Sequence, residues 1–216
     1  MKKINFSYAL GEILIVIVGI TIAFSLNKCA ENSKNYAEKI QYLNNLKRDV
    51  LSDKTVLEEN VDALAEKIAL SGTIAAVLGT DSEDKLKSMG NLFQIAELSG
   101  FEPKDITYQT LINSGDLKLL DDFDLRAAIE EHYSNYKIML KAYARQENIH
   151  KEYLGHYLIN NVDYEAFGRN EFGFKKEALL KNIVQSMRGS FGIKLRATQK
   201  GIESCDRLLE IIDTSL

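Results

Sequence analysis

Eighteen consecutive residues near the start of the chain, from Ala9 to Leu26, carry a single charge, at Glu12. As an α-helix this segment is about 27 Å long, close to the roughly 30 Å hydrocarbon core of a bilayer. A single segment in lipid must be helical, because lipid offers no partner for a free backbone N–H or C=O group. The sequence therefore predicts a transmembrane helix over 9–26, preceded by a short tail over 1–8.

The position of Glu12 gives this span one distinctive face. Glu12, Val16, Gly19 and Ala23 follow one another at intervals of four, three and four residues, which places them on one side of a helix. Gly19 and Ala23 form a small-xxx-small pair, a pattern that lets transmembrane helices approach closely. We predict that this face packs on another transmembrane helix, and the alternative is a plain anchor with incidental small residues.

A cleaved signal peptide is a competing interpretation of the same segment. The apolar region of such peptides is usually about 7–15 residues, shorter than this one, although Ala23-Phe24-Ser25 imitates a small-x-small cleavage site. Lysines flank the span on both sides, so the positive-inside rule barely distinguishes the two orientations. We favour a cytoplasmic N-terminus, with the rest of the chain on the other side of the membrane.

The remaining residues, 27–216, are enough for one domain with its own core. The formal net charge of the whole chain is −4, so no broad basic surface is expected, which argues against nucleic acid as a partner. The two cysteines, Cys29 and Cys205, cannot build a disulfide framework. A single bridge between them and two free thiols both stay open.

The segment after the span has the pattern of a long amphipathic helix. Apolar residues recur every seven positions with a second set beside them, namely Tyr36, Leu43, Val50, Leu57 and Leu64, joined by Ile40, Leu46, Val61 and Ile68. No Gly or Pro occurs between the span and Gly72, and Gly79 is suited to end a helix. We therefore predict one helix that continues from the membrane to about Leu78.

Shorter helices are predicted in the middle of the chain. One covers about 83–98, and the next begins after an N-cap at Asp105 and ends at Gly115. Asp121 or Asp122 then caps the following helix.

That helix is predicted over 123–162, and a loop over 160–173 follows it. Two helical patterns then flank Gly189, and the second places Cys205 on its apolar side. No alternating strand pattern of useful length appears. The predicted fold class is therefore all-α, an antiparallel helical bundle whose first helix continues the transmembrane span.

Three polar residues, His132, Gln146 and His150, lie on the apolar stripe of the helix over 123–162. Buried polar groups usually bond within the core or fix helix register, so we predict a polar layer in the core. Glu147 and His150 form one Glu-x-x-His, whereas a di-iron site needs two such pairs. The sequence has no nucleophile elbow, phosphate loop or complete calcium loop, so we predict no enzyme activity, no cofactor and no metal.

Two segments resemble a known family. In YALGEILIVIVGITIAFSLN the matching positions are Gly11, Glu12, Gly19, Ile20, Ala23 and Asn27, and in TYQTLINSGDL they are Thr107, Tyr108, Leu111, Ser114, Gly115 and Leu117, with Tyr133 beyond. These resemble the span and the Thr-Tyr-x-x-Leu-x-x-Ser-Gly-x-Leu box of uncharacterised single-pass membrane proteins common in Bacteroidota. The family often has a Trp after the Asn, whereas this chain has no Trp. The resemblance implies a bacterial inner-membrane protein with a helical, periplasmic domain, and it adds no catalytic residue.

These observations favour a structural or signalling module that is anchored in the lipid bilayer and meets a protein partner or a second copy through its transmembrane helix. Two alternatives stay open. A ligand sensor would use a pocket lined by Tyr136, Tyr143 and His150. A metal-dependent enzyme would use His132, Glu147 and His150.

Overall fold

The computed structural model describes residues 6–216, with side chains from Leu10 onward except at position 89. The helices are α1 Phe6–Val77, α2 Lys85–Ala96, α3 Ile106–Ser114, α4 Phe123–Ile149, α5 His156–Asn161, α6 Tyr164–Gly168 and α7 Glu177–Ser215. Over these residues no strand occurs, apart from an isolated bridge between Val162 and Phe174. The predicted all-α fold is confirmed, whereas most of the predicted tail over 1–8 lies outside the described residues.

Helix α1 is a single helix of 72 residues, about 108 Å long. It begins with the predicted span over 9–26, which we call the apolar segment. This part of α1 is long and apolar enough to span a membrane and is not buried against the rest of the chain. Helix α1 ends at Val77, and Gly79 follows with a φ of +80°. The predicted continuation from span to bundle and the predicted stop at Gly79 are thus both confirmed. Tyr36 was expected in the buried stripe but is exposed, because the bundle packs on α1 only from about Leu43 onward.

Helix α7 runs antiparallel to α1 along most of the bundle. Near one end Lys47 Nζ lies 2.5 Å from a carboxylate oxygen of Asp213. Near the other end the backbone N–H of Gly79 donates to the Glu177 carboxylate at 2.7 Å. The same α7 face packs on α4, also antiparallel, so α7 lies between two helices that run in the same direction.

Gly201 marks the closest approach of these three helices. A Cβ atom at this position would lie 2.6 Å from Met139 Sδ on α4 and 3.2 Å from Leu57 Cδ1 on α1. A larger residue would therefore push α7 away from both neighbours.

Two of the predicted helix ends are confirmed in detail. Gly115 ends α3 with a φ of +75°, the left-handed conformation that glycine adopts without strain. Asp122 caps α4, because its carboxylate accepts from the backbone N–H groups of Asp124 and Leu125.

Three expectations for the second half need correction. A π-helical segment, His150–Gly155, joins α4 to α5 inside the helix predicted over 123–162. The predicted loop over 160–173 contains the short helix α6. The predicted interruption at Gly189 is wrong, since α7 passes through this residue and buries its apolar side along the whole length.

The apolar core is divided into two clusters along the bundle axis. The cluster nearer the apolar segment includes Leu43, Val50, Leu57, Ile129, Tyr136, Cys205 and Ile212. The distant cluster includes Leu64, Ile74, Leu92, Leu154, Val184 and Phe191. On each long helix a buried polar residue lies between the two clusters, namely Asn60, Gln146 and Lys194, and the candidate site lies there.

Candidate functional site

The buried side of α1 follows a strict heptad, with alternating steps of three and four residues from Leu43 to Leu78. One of its two registers contains Asp53, Asn60 and Lys67, all buried. Polar residues at such positions need partners, because an unpaired polar group in a core costs about 1–3 kcal/mol.

All three residues find partners in residues 97–104, which lie between α2 and α3 and which we call the strap. The bonds are Lys67 Nζ to Glu97 O and to Ser99 Oγ (3.3 Å), Asn60 Nδ2 to Gly100 O (2.9 Å), and Lys104 N to the Asp53 carboxylate (3.0 and 3.1 Å). The 14 residues from Asp53 to Lys67 span about 21 Å of helix, whereas seven extended residues span about 23 Å. The strap must therefore run nearly extended along α1, in the opposite direction.

Aromatic residues hold the other side of the strap. The Phe101 ring meets Tyr136 edge-on with centroids 5.2 Å apart, and it also contacts Tyr143 at 6.2 Å. Just beyond the strap, Tyr108 stacks on Tyr133 with centroids 4.2 Å apart. The segment that carries the Thr-Tyr-x-x-Leu pattern is thus the continuation of the strap, packed on α4.

A connected set of polar side chains crosses the bundle between the two apolar clusters. We call Asn60, Tyr143, Gln146, Lys194 and Thr198 the polar layer. Tyr143 Oη lies 2.9 Å from Thr198 Oγ1 and 3.4 Å from Asn60 Nδ2, and Lys194 Nζ donates to Gln146 Oε1 at 3.1 Å. The layer joins α1, α4, α7 and, through Asn60 and Lys194, the strap.

Lys194 carries the charge of this layer, and its side chain is buried at 1% exposure. Its ammonium group donates to Ser99 O and Gln146 Oε1 and lies 4.0 Å from the centroid of the Tyr143 ring. Burial, reinforced by the positive charge of Lys67, lowers the pKa of Lys194 to about 8. Among the described side chains, no carboxylate oxygen lies within 4 Å of the Lys194 ammonium.

A cleft of about 440 Å³ opens beside Lys194. Its walls come from the strap, α4 and α7, with the lining residues Leu98, Ser99, Gly100, Phe101, Leu140, Tyr143, Ala144, Gln146, Glu147 and Lys194. Apolar walls with a few fixed polar groups are typical of small-molecule sites.

The three residues predicted for a core polar layer do not lie together. Gln146 belongs to the layer, and His150 lies one helical turn further along, with a pKa lowered by burial and by Lys67. His132 lies about 21 Å from Gln146 along α4, against Tyr133 and Tyr136 of the cluster nearer the apolar segment. There its Nδ1 is 3.0 Å from Ser204 Oγ, and burial lowers the pKa of His132 to about 4.

This separation also bears on the two alternatives. His132 and His150 are about 27 Å apart along the helix, so they do not form one metal site with Glu147. Within the described residues, no group of three or more His, Cys, Asp or Glu side chains is arranged to hold a metal ion. For the ligand-sensor alternative, Tyr143 does line the cleft, whereas Tyr136 and His150 do not.

The face proposed for membrane packing points away from the bundle. Glu12 and Leu43 are 31 residues apart, which is a rotation of about 140° around α1. Val50, 38 residues after Glu12, lies about 160° away from it. Val16, Gly19 and Ala23 are exposed, so nothing in the described chain covers this face.

Four residues of the site were missed by sequence reasoning: Asp53, Asn60, Lys67 and Lys194. Asp53, Asn60 and Lys67 are in heptad phase with Leu46 and Ile74, which are buried, so their spacing was a usable signal. Lys194 follows Phe191 by three residues and precedes Thr198 by four, so its position on the apolar side of α7 was a usable signal.

The family described as "Family of unknown function (DUF6090)" matches residues 12–152. The matched range begins in the apolar segment, includes the strap and the whole of α4, and ends in the π-helical segment. No curated protein and no solved structure matches the chain.

Proposed function

We propose that this chain, which belongs to the family of unknown function DUF6090, is a membrane-anchored interaction module. In this proposal the apolar segment of α1 spans the inner membrane of a bacterium, with Bacteroidota as the expected group. The helical bundle then lies in the periplasm, where it serves a structural or signalling role rather than an enzymatic one.

The observation that carries the proposal is the continuity of α1, from the apolar segment to the far end of the bundle. A helix without Pro or a broken turn transmits a displacement or rotation along its length. The Glu12, Val16, Gly19 and Ala23 face points away from the bundle, so two copies that meet at this face would hold their bundles on opposite outer sides. Self-association therefore requires no rearrangement of the fold.

A cysteine scan in native membranes tests the packing face. In a Cys29→Ser background, single cysteines replace Val16, Gly19 or Ala23, and an oxidant then forms disulfides between neighbouring spans. Self-association predicts covalent dimers at these positions.

The matched controls are Leu14, Ile17 and Thr21, which have the same spacing but lie about 140–200° away from Glu12. Dimers should be absent at these three positions. Equal crosslinking on both faces, or none on either, contradicts the packing face. Adducts of another mass, obtained with a photoreactive maleimide on the same cysteines, indicate a different protein as the partner.

The natural cysteines test the proposed orientation. Cys29 is exposed just after the span, whereas Cys205 is buried. A membrane-impermeant maleimide should label Cys29 in intact spheroplasts and should not label the Cys29→Ser variant. Labelling that requires lysis contradicts a periplasmic domain.

Ligand sensing is the second candidate function, because the cleft beside Lys194 adjoins the strap that is bonded to α1. A molecule in this cleft would contact the strap directly, and the strap is held by side chains of the helix that enters the membrane.

A further inference from the structure

We propose that the cleft between the strap and α4 binds a small organic monocarboxylate, with its carboxylate on Lys194 and Gln146 and its apolar body along the strap. This inference rests on the ligand-sensing role above and names the class of ligand.

The first reason is a buried positive charge that forms no ion pair with a described carboxylate. Lys67 and Lys194 are 8% and 1% exposed, and both ammonium groups are bonded only to neutral oxygen atoms. Lys67 also faces His150, and its positive charge lowers the pKa values of both Lys194 and His150. Buried charges are normally paired, because an isolated one is costly. Glu147 partly offsets the charge of Lys194, and Glu97 that of Lys67, but no described carboxylate forms an ion pair with either ammonium group. An anion in the cleft would supply a paired negative charge.

The second reason is an uncommitted hydrogen-bond donor in the wall of the cleft. Gln146 Nε2 has no hydrogen-bond partner among the described residues, although the side chain is buried at 2% exposure. Gln146 lines the cleft, and its Oε1 already accepts from Lys194. The two oxygens of a carboxylate can accept from an ammonium group and from an amide N–H at the same time.

The third reason is the character of the remaining walls. Leu98, Phe101 and Leu140 give the cleft an apolar side, which suits an apolar body rather than a free inorganic ion. Glu147, an exposed residue of the lining, repels a second negative charge. Together these features favour a monocarboxylate over a dianion.

The test uses the full chain in detergent micelles at pH 7, with sodium benzoate as the probe. Benzamide, which has the same ring but no charge, is the matched neutral control, and sodium chloride keeps the ionic strength equal. At a tenfold excess over Kd, benzoate should raise the thermal unfolding midpoint by about 3–6 °C in a saturable way. Benzamide should not raise it.

Two variants locate the effect. Lys194→Met should abolish the benzoate shift. Gln146→Glu should also abolish it, because this variant places a carboxylate of the chain itself beside Lys194, and its midpoint without benzoate should be raised. Lys200→Met, which changes an exposed lysine on the same helix, should keep the full shift.

Three results would overturn the inference in distinguishable ways. Equal shifts with benzoate and benzamide would overturn the carboxylate class but keep ligand binding in the cleft. The absence of any shift with either compound would overturn both the carboxylate class and ligand binding in the cleft. A benzoate shift that persists in Gln146→Glu would place the binding elsewhere, even if Lys194→Met does not fold.

Discussion

The substitution Lys194→Met offers a quantitative test of the buried charge in the polar layer. Burial lowers the pKa of Lys194 from 10.5 to about 8. The unfolded chain therefore holds this proton more tightly than the folded protein does, and each unit of difference corresponds to about 1.4 kcal/mol. At neutral pH the charged ammonium thus costs the folded state about 3 kcal/mol.

The sign of the pH dependence follows from this difference. Between pH 8 and pH 10.5 the folded protein has lost the proton while the unfolded chain retains it, so the unfolding free energy rises with pH. From pH 7 to pH 9 the contribution of Lys194 alone is a rise of about 1.4 kcal/mol. Methionine does not titrate, so the variant should lack this rise.

Urea unfolding of the full chain in micelles, followed by circular dichroism at pH 7 and pH 9, measures the effect. The buffers must contain no carboxylate. Cys205, whose pKa burial raises to about 11, changes the stability in the opposite direction but equally in both proteins. The difference in unfolding free energy between the wild type and Lys194→Met should therefore change by about 1.4 kcal/mol between the two pH values. Lys200→Met should show no such shift, and a Lys194→Met protein with the wild-type pH profile would refute a buried, charged Lys194.

Three further substitutions test other parts of the bundle. Burial raises the pKa of Asp53 from 3.8 to about 6, so the contribution of Asp53 to the unfolding free energy should fall as the pH rises from about 4 to 6. In urea titrations, the difference in unfolding free energy between the wild type and Asp53→Asn should fall over the same range. Gly201→Ala should destabilise the bundle by about 1–3 kcal/mol, because its Cβ meets Met139 at 2.6 Å. Gly189→Ala, at a position on the same helix with nothing within 4 Å of a Cβ, should instead stabilise it by about 0.5–1 kcal/mol in the same urea assay.

The parts of the fold that follow from local rules were predictable. The heptad through Leu43, Val50, Leu57 and Leu64 predicted the long helix, and the left-handed conformation at Gly115 follows from the freedom of glycine. Both features depend on residues close to each other in the chain, so a single sequence contains the whole signal.

The strap was not predictable in the same way. Asp53, Asn60 and Lys67 are in heptad phase with Leu46 and Ile74, but their hydrophilic character by itself favours a solvated face. Their burial depends on an extended segment some 30 to 50 residues away, which has no periodicity of its own. Likewise the spacing of His132, Gln146 and His150 predicted a single polar layer, but the position of α7 decides which of them has a hydrogen-bond partner. On α7, Lys194 bonds to Gln146 and Ser204 bonds to His132.

The order of the helices along the chain determines when the packing partners of α1 are synthesised. Helix α7 packs on both α1 and α4, yet its first residue follows the end of α1 by 100 positions. At about 5–20 residues per second, a ribosome needs roughly 5–20 s to make the intervening chain. During that interval the apolar heptad of α1 has no α7 to cover it, while the strap is made early and brings partners for Asp53, Asn60 and Lys67. Helix α2, which also packs on α1, and the strap that follows it therefore give the nascent helix its first cover, before the last helix closes the bundle.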